Sequence, residues 1–138
     1  MGPGPTGDEE LSARNPGLVY CSVSAYGHTG PASHRAGFGL IAAAKSGIMA
    51  MVGSPGEAPP LLRIALGDMY TGVHGVASVC AALLGRAKSG RGQHIDISML
   101  ESLAEWTSYP LYYAFDGAPP PPRTGASHAT IYPYGPFP

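Results

Sequence analysis

The chain has 138 residues, 44% of them hydrophobic and only 12% charged, which suits one domain with a buried core and excludes a wholly disordered polymer. Eight Lys and Arg against nine Asp and Glu leave a formal charge of −1, so there is no basic field to draw nucleic acid or an anionic membrane. The 20 glycines and 15 prolines are about twice ordinary usage; with so little charge, they describe a tightly turned chain whose surface is largely covered by something else.

Residues 1–11 read as a flexible leader, and Met1–Gly7 has neither the basic nor the apolar region of a signal peptide. Asp8 to Arg14 predict a helical turn, closed by the turn chemistry of Asn15-Pro16-Gly17. Val19, Cys21, Val23 and Ala25 then alternate with Tyr20, Ser22, Ser24 and Tyr26, a period of two that predicts a strand running into the loop Gly27–Pro31. Phe38 to Val52 is apolar nearly all round and rich in alanine, which predicts one buried helix of about four turns. The longest apolar stretch, Leu40 to Val52, is broken by Lys45 and Gly47 and is far short of the ~20 residues of a membrane span. Leu61 to Leu66 is a short apolar run, read as a strand.

The clearest helix follows. Val73, Val76, Ala77, Cys80, Leu83 and Leu84 recur at helical spacing, with Gly67-Asp68 as the expected N-cap and Gly90 as the expected stop. Gln93 to Ser98 alternates again and predicts a second strand. Met99 to Tyr109 resumes helical spacing until Pro110 bends or ends it. Pro119 to Pro122 predicts a polyproline II linker, and the remainder has no clear period. Strands alternating with helices make this an α/β chain.

Few residues offer chemistry on their own. Cys21 and Cys80 are far apart and lie in apolar segments, so neither a disulfide framework nor a zinc site is expected, and a reducing cytoplasm is. Glu101 and Glu105 share a helix face and read as a solvated surface pair. Trp106 with Tyr109, Tyr112 and Tyr113 reads as core or interface. Asp68 is the most informative position. At a helix start, free N–H groups and the dipole favour its ionised form; neighbouring glycines leave room for a substrate, and a carboxylate so held can act as a covalent nucleophile. Without further context, the same residue is a structural cap.

Four ordered segments change that weighting: Ser24-Ala-Tyr-Gly-His-Thr-Gly-Pro31, Arg35-Ala-Gly-Phe-Gly-Leu-Ile41, Gly67-Asp-Met-Tyr-Thr-Gly72 and Gly90-Arg-Gly-Gln-His-Ile-Asp-Ile-Ser98. Over about Ser12 to Pro138 they resemble the family III CoA transferases, the group that includes formyl-CoA and carnitine-CoA transferases and the 2-methylacyl-CoA racemases. The resemblance implies part of a Rossmann-like large domain over 12–117, with a Pro-rich linker and the start of a smaller second domain over 118–138. It implies that Asp68 is the nucleophile, attacking an acyl-CoA thioester to give a mixed anhydride and then an aspartyl-CoA thioester. Tyr26, Arg35, Gly37 and Phe38 match regions that line the CoA and acyl site, and His128 is a substrate-side candidate. Phe38 stands where transferases often have Tyr and racemases His; a phenyl ring cannot abstract a proton. Gly39 departs from the acidic residue common at its position.

The implied activity is transfer of CoA between an acyl-CoA and a small carboxylic acid, with a dicarboxylate hinted by Tyr132-Pro-Tyr-Gly-Pro136. CoA enters as a substrate thioester, with no permanent cofactor or metal, and family members form intertwined homodimers. Because the family chain is about three times longer, the expectation is a fragment that holds the nucleophile and part of the CoA site. A non-catalytic remnant of the fold and a racemase relative are the alternatives.

Overall fold

The computed structural model describes residues 7–137. The first six residues of the expected leader lie outside the described residues; its end does not remain a leader, because helix α1 (Gly7–Arg14) begins there. The turn after α1 forms as expected, with the Leu18 N–H donating to the Asn15 carbonyl at 2.9 Å and the Gly17 N–H to Asn15 Oδ1 at 3.1 Å.

Strands β1 (Val19–Ser24) and β2 (Gln93–Ser98) fall within the two alternating segments. They pair in parallel, from Val19 against Gln93 to Ser24 against Ser98. That register sets Tyr20, Ser22 and Ser24 beside His94, Asp96 and Ser98 on one face, and Val23 beside Ile97 on the other. Parallel strands need a long crossover, and residues between them supply it as α2 (Gly39–Lys45), α3 (Ile48–Met51) and α4 (Leu66–Ser89). α4 packs against both strands, with Gly75 over the Ile97 side chain. α5 (Met99–Tyr113) leaves β2 directly and closes the helical layer against α2 and α4. The α/β class is therefore as expected, and the core lies between helices: Ala42, Ala43 and Leu103 are buried, with Leu62, Leu66, Tyr70 and Met99 packed around them.

Several expectations need correction. The apolar segment Phe38 to Val52 is two short helices rather than one. Gly47 adopts φ 85° between them, a left-handed conformation that glycine tolerates, and the Ser46 hydroxyl donates to the Ala43 carbonyl at 3.0 Å. Only one side of α2 is buried, through Gly39, Ala42 and Ala43. Leu61 to Leu66 forms no strand: Leu62 and Leu66 turn into the helical core while Leu61 and Ile64 stay exposed, so core packing overrode the local β preference. The α4 stripe is also misassigned. Val73, Val76 and Leu84 are 62%, 66% and 70% exposed, whereas the buried residues of α4 are Gly67, Thr71 and Ala82. Small side chains, not the large ones, let α4 approach its neighbours.

The ends of α4 and α5 follow local chemistry. Gly90 takes φ 70° and its N–H returns to the Arg86 carbonyl at 2.8 Å, the expected glycine stop. At the start of α5, Ser98 accepts the Glu101 N–H at 3.2 Å, a Ser-x-x-Glu cap that hydropathy reading missed. Pro110 sits beyond a kink at Ser108 (φ 45°, ψ −125°), and α5 resumes to Tyr113. Arg123 ties the Pro-rich segment back through Nε to the Ala50 carbonyl at 2.9 Å and through its guanidinium to the Glu57 carbonyl. Cys21 and Cys80 are free thiols. Among the described residues, no helix is long and apolar enough to cross a membrane, and no group of His, Cys, Asp or Glu is arranged to hold a metal ion.

Candidate active site

The starts of α2 and α4 meet at a pair of glycines. Gly39, the first residue of α2, and Gly67, the second of α4, are both buried. A Cβ built on Gly67 would lie 3.1 Å from both the Cα and the carbonyl oxygen of Gly39, and 3.3 Å from Leu103 Cδ1. No larger residue fits there without moving backbone. The next side chain along α4 is Asp68, and a Cβ on Gly39 would collide with its Oδ2. The carboxylate therefore rests against the α-carbon that opens α2.

Sequence reading placed Asp68 ahead of its helix as the N-cap. The N-cap is Ala65, which makes no side-chain cap bond, and Asp68 stands inside the first turn. The helix starts earlier because Leu66 is drawn into the core between α2 and α5. This strengthens the electrostatic argument. The first intrahelical bonds run from Met69 N to the Ala65 carbonyl in α4 and from Ala42 N to the Phe38 carbonyl in α2, each 3.0 Å. In α4 the Leu66 N–H turns back to the Ile64 carbonyl at 2.7 Å, so the positive end is presented by the Gly67 and Asp68 N–H groups, and in α2 by those of Gly39, Leu40 and Ile41. Two such ends converge beside one carboxylate.

Asp68 opens onto a cleft of about 880 Å³ whose walls include Phe38, Leu40, Leu61, Arg63 and Ile64. Phe38, 77% exposed, stands at its edge. Arg63 gives this largely apolar wall a cation. Sequence reading missed both Arg63 and the pairing of Gly39 with Gly67; the available signal was two Gly-containing apolar segments, each opening a helix.

The remaining predicted site residues divide into two groups. Gly37 and Tyr26 support the cleft from behind: a Cβ on Gly37 would sit 2.8 Å from Ala25 Cβ and 3.1 Å from the Tyr26 hydroxyl. They hold the segment carrying Phe38 and Gly39 against the end of β1, and Lys45 Nζ lies 6.0 Å from the Tyr26 ring centroid. Arg35 and His128 do not line the Asp68 cleft. Arg35 is exposed on the preceding loop, its N–H donating to the Ala32 carbonyl at 2.9 Å. His128 stacks on Tyr109 at 5.2 Å and meets Tyr134 edge-on at 5.1 Å. Its Nδ1 accepts the N–H groups of Thr130 and Ile131, each at 3.1 Å. That fixes the neutral ring as the tautomer with hydrogen on Nε2.

Residues 5–138 match the sequence profile of CoA-transferase family III. The chain belongs to that family. This family III chain is 38% identical over 127 residues to the succinate–glutarate CoA-transferase of Agrobacterium fabrum, covering 91% of this chain and 32% of that protein. It is 34% identical over 131 residues to the human succinyl-CoA:glutarate CoA-transferase, covering 95% and 30%. Among solved structures, a CAIB/BAIF family protein from Brucella suis superposes with a TM-score of 0.81 at 36% identity, over 92% of this chain and 34% of that one. The chain thus spans about a third of the length of the relatives it matches.

Proposed function

We propose that this chain is the nucleophile-bearing segment of a CoA transferase that moves CoA between an acyl-CoA and a small dicarboxylic acid. One observation carries the reading: Asp68 lies where the positive ends of α2 and α4 meet, at the edge of an open cleft, with glycines on both sides of the crossing. An Asp68 oxygen attacks the thioester carbonyl carbon. The C–S bond breaks, leaving a mixed anhydride and CoA thiolate. The thiolate then attacks the Asp68 carbonyl, releasing the first carboxylic acid as its anion and forming an aspartyl-CoA thioester. The acceptor carboxylate runs the same steps in reverse. The helix N–H groups stabilise the oxyanion of each tetrahedral intermediate, and no proton transfer to carbon is needed.

The dicarboxylate assignment rests on the names of relatives, which transfer CoA to or from succinate, glutarate and oxalate. Arg63 in the cleft supplies a cation suited to a second carboxylate or to a CoA phosphate. Phe38 at the cleft edge argues against racemase chemistry, which needs a base there.

The chain contributes only part of the CoA site in this proposal. Parallel sheets are normally covered on both faces, whereas among the described residues β1 and β2 pair only with each other and Val23 is exposed. Further strands of a longer family chain would cover these edges, and an intertwined dimer would cover the apolar face of α4. Residues 12–117 belong to the large domain and 118–138 lead into the second. Free thiols fit a cytoplasmic location.

The test is incubation with succinyl-CoA, followed by intact mass and peptide mapping, with and without the remaining family segments added in trans. A CoA or acyl adduct on Asp68, absent from Asp68→Asn, is expected. No adduct in the complemented protein would leave the non-catalytic remnant as the correct reading.

A further inference from the structure

The polar face of the sheet carries a second set of reactive groups, none of which lines the Asp68 cleft. Ser22 from β1, His94 from β2 and Asp8 from α1 form a continuous chain. Ser22 Oγ lies 2.6 Å from His94 Nε2, and His94 Nδ1 lies 3.1 Å from Asp8 Oδ2. The carboxylate can only accept, so Nδ1 carries the hydrogen and the Nε2 lone pair faces the serine hydroxyl. The Asp8 side chain is 13% exposed and that of His94 30% exposed, so the orienting carboxylate is shielded while the imidazole reaches the surface. This is the order of contacts that activates a serine in hydrolases of unrelated fold.

We infer that Asp8, His94 and Ser22 form a serine nucleophile that accepts acyl groups from small uncharged esters. Ser22 Oγ attacks the ester carbonyl carbon while its proton passes to His94 Nε2, and Asp8 holds the resulting imidazolium. The tetrahedral adduct then collapses, breaking the bond to the leaving alcohol, which takes the proton from His94 and leaves a Ser22 ester. Water, activated by the same imidazole, hydrolyses that ester to regenerate the serine. The surroundings select against anions. Asp96 accepts the His28 N–H at 2.7 Å beside the site, and the His28 ring centroid lies 6.1 Å from that of His94. Glu9 flanks Asp8 on α1. A polyanionic CoA thioester is repelled here and an uncharged ester is not, which separates this site from the Asp68 cleft.

The experiment treats the full chain with an uncharged alkyl fluorophosphonate and maps the modified peptide. One addition at Ser22 with loss of fluoride is expected, together with a one-equivalent burst of p-nitrophenol from p-nitrophenyl acetate. Ser22→Ala should abolish both, and His94→Gln and Asp8→Asn should slow labelling by about 100-fold or more. Circular dichroism confirms folding, and if His94→Gln does not fold, Asp8→Asn decides. Absence of label on Ser22 in the folded chain, preference for another serine, or undiminished labelling in Asp8→Asn would each overturn the inference and leave the three residues as a clasp holding α1 to the sheet.

Discussion

Two alanine substitutions at the helix crossing separate packing from chemistry. In Gly67→Ala the new Cβ meets the Gly39 backbone at 3.1 Å and Leu103 at 3.3 Å. Backbone cannot rotate away, so the cost is that of overpacking, about 1–3 kcal/mol, less the gain of up to about 1 kcal/mol from replacing glycine in a helix. In Gly39→Ala the colliding atoms belong to the Asp68 side chain, which is exposed and free to swing outward. Its stability should therefore stay within about 1 kcal/mol of wild type. The carboxylate, however, loses its place at the start of α2, and a displacement of this kind costs about 100-fold in rate. Chemical denaturation of both variants, paired with the rate of CoA-adduct formation on Asp68 in the complemented protein, reads the two effects separately. A Gly39→Ala protein that reacts like wild type would refute the claim that this crossing positions the nucleophile. Equal destabilisation of both variants would refute the assignment of the collision to a mobile side chain.

Other substitutions test individual links. Asp68→Asn should abolish adduct formation while changing stability by less than about 1 kcal/mol, measured by denaturant midpoint. No deuterium should enter the α-carbon of a 2-methylacyl-CoA in deuterated water; incorporation lost in Asp68→Asn, seen by mass spectrometry, would move the chain to the racemase branch. Ser98→Ala removes the cap that Glu101 N–H uses and should cost about 1 kcal/mol in thermal denaturation. The chain alone should self-associate through the exposed face of α4, and Val76→Lys with Leu84→Lys should lower its apparent mass in light scattering; a monodisperse wild-type monomer with a concentration-independent midpoint would contradict this.

The elements that sequence reading found are those decided by neighbours in the chain. Both strands follow from strict alternation, and the end of α4 follows from Gly90 after Arg86 and Lys88. The failures lie where distant residues decide. Nothing local shows that Leu62 and Leu66 are drawn into a core with Ala42 and Leu103, so Leu61–Leu66 reads as a strand and the start of α4 is placed too late. The stripe of Val73, Val76 and Leu84 has a helical period yet faces outward. Periodicity identifies a face that needs covering, but not whether this segment or another chain covers it.

The candidate site divides in the same way. The local pattern around Asp68, an acidic residue beside Gly67 at a helix start, reads on its own as a cap, and only the resemblance carried by the four ordered segments marks it as a nucleophile candidate. The role of Gly39 was not legible, since its value lies in having no Cβ where a side chain 29 positions later must rest. A position that looked like a missing acidic group in the sequence is, in three dimensions, the opening that admits one. The same holds for His94. Its alternation within β2 marks it only as a polar strand residue, and the parallel register with β1 together with the approach of α1 gives each of its ring nitrogens a partner. A strand predicts which face a side chain joins. Only the pairing of strands shows what chemistry that face assembles.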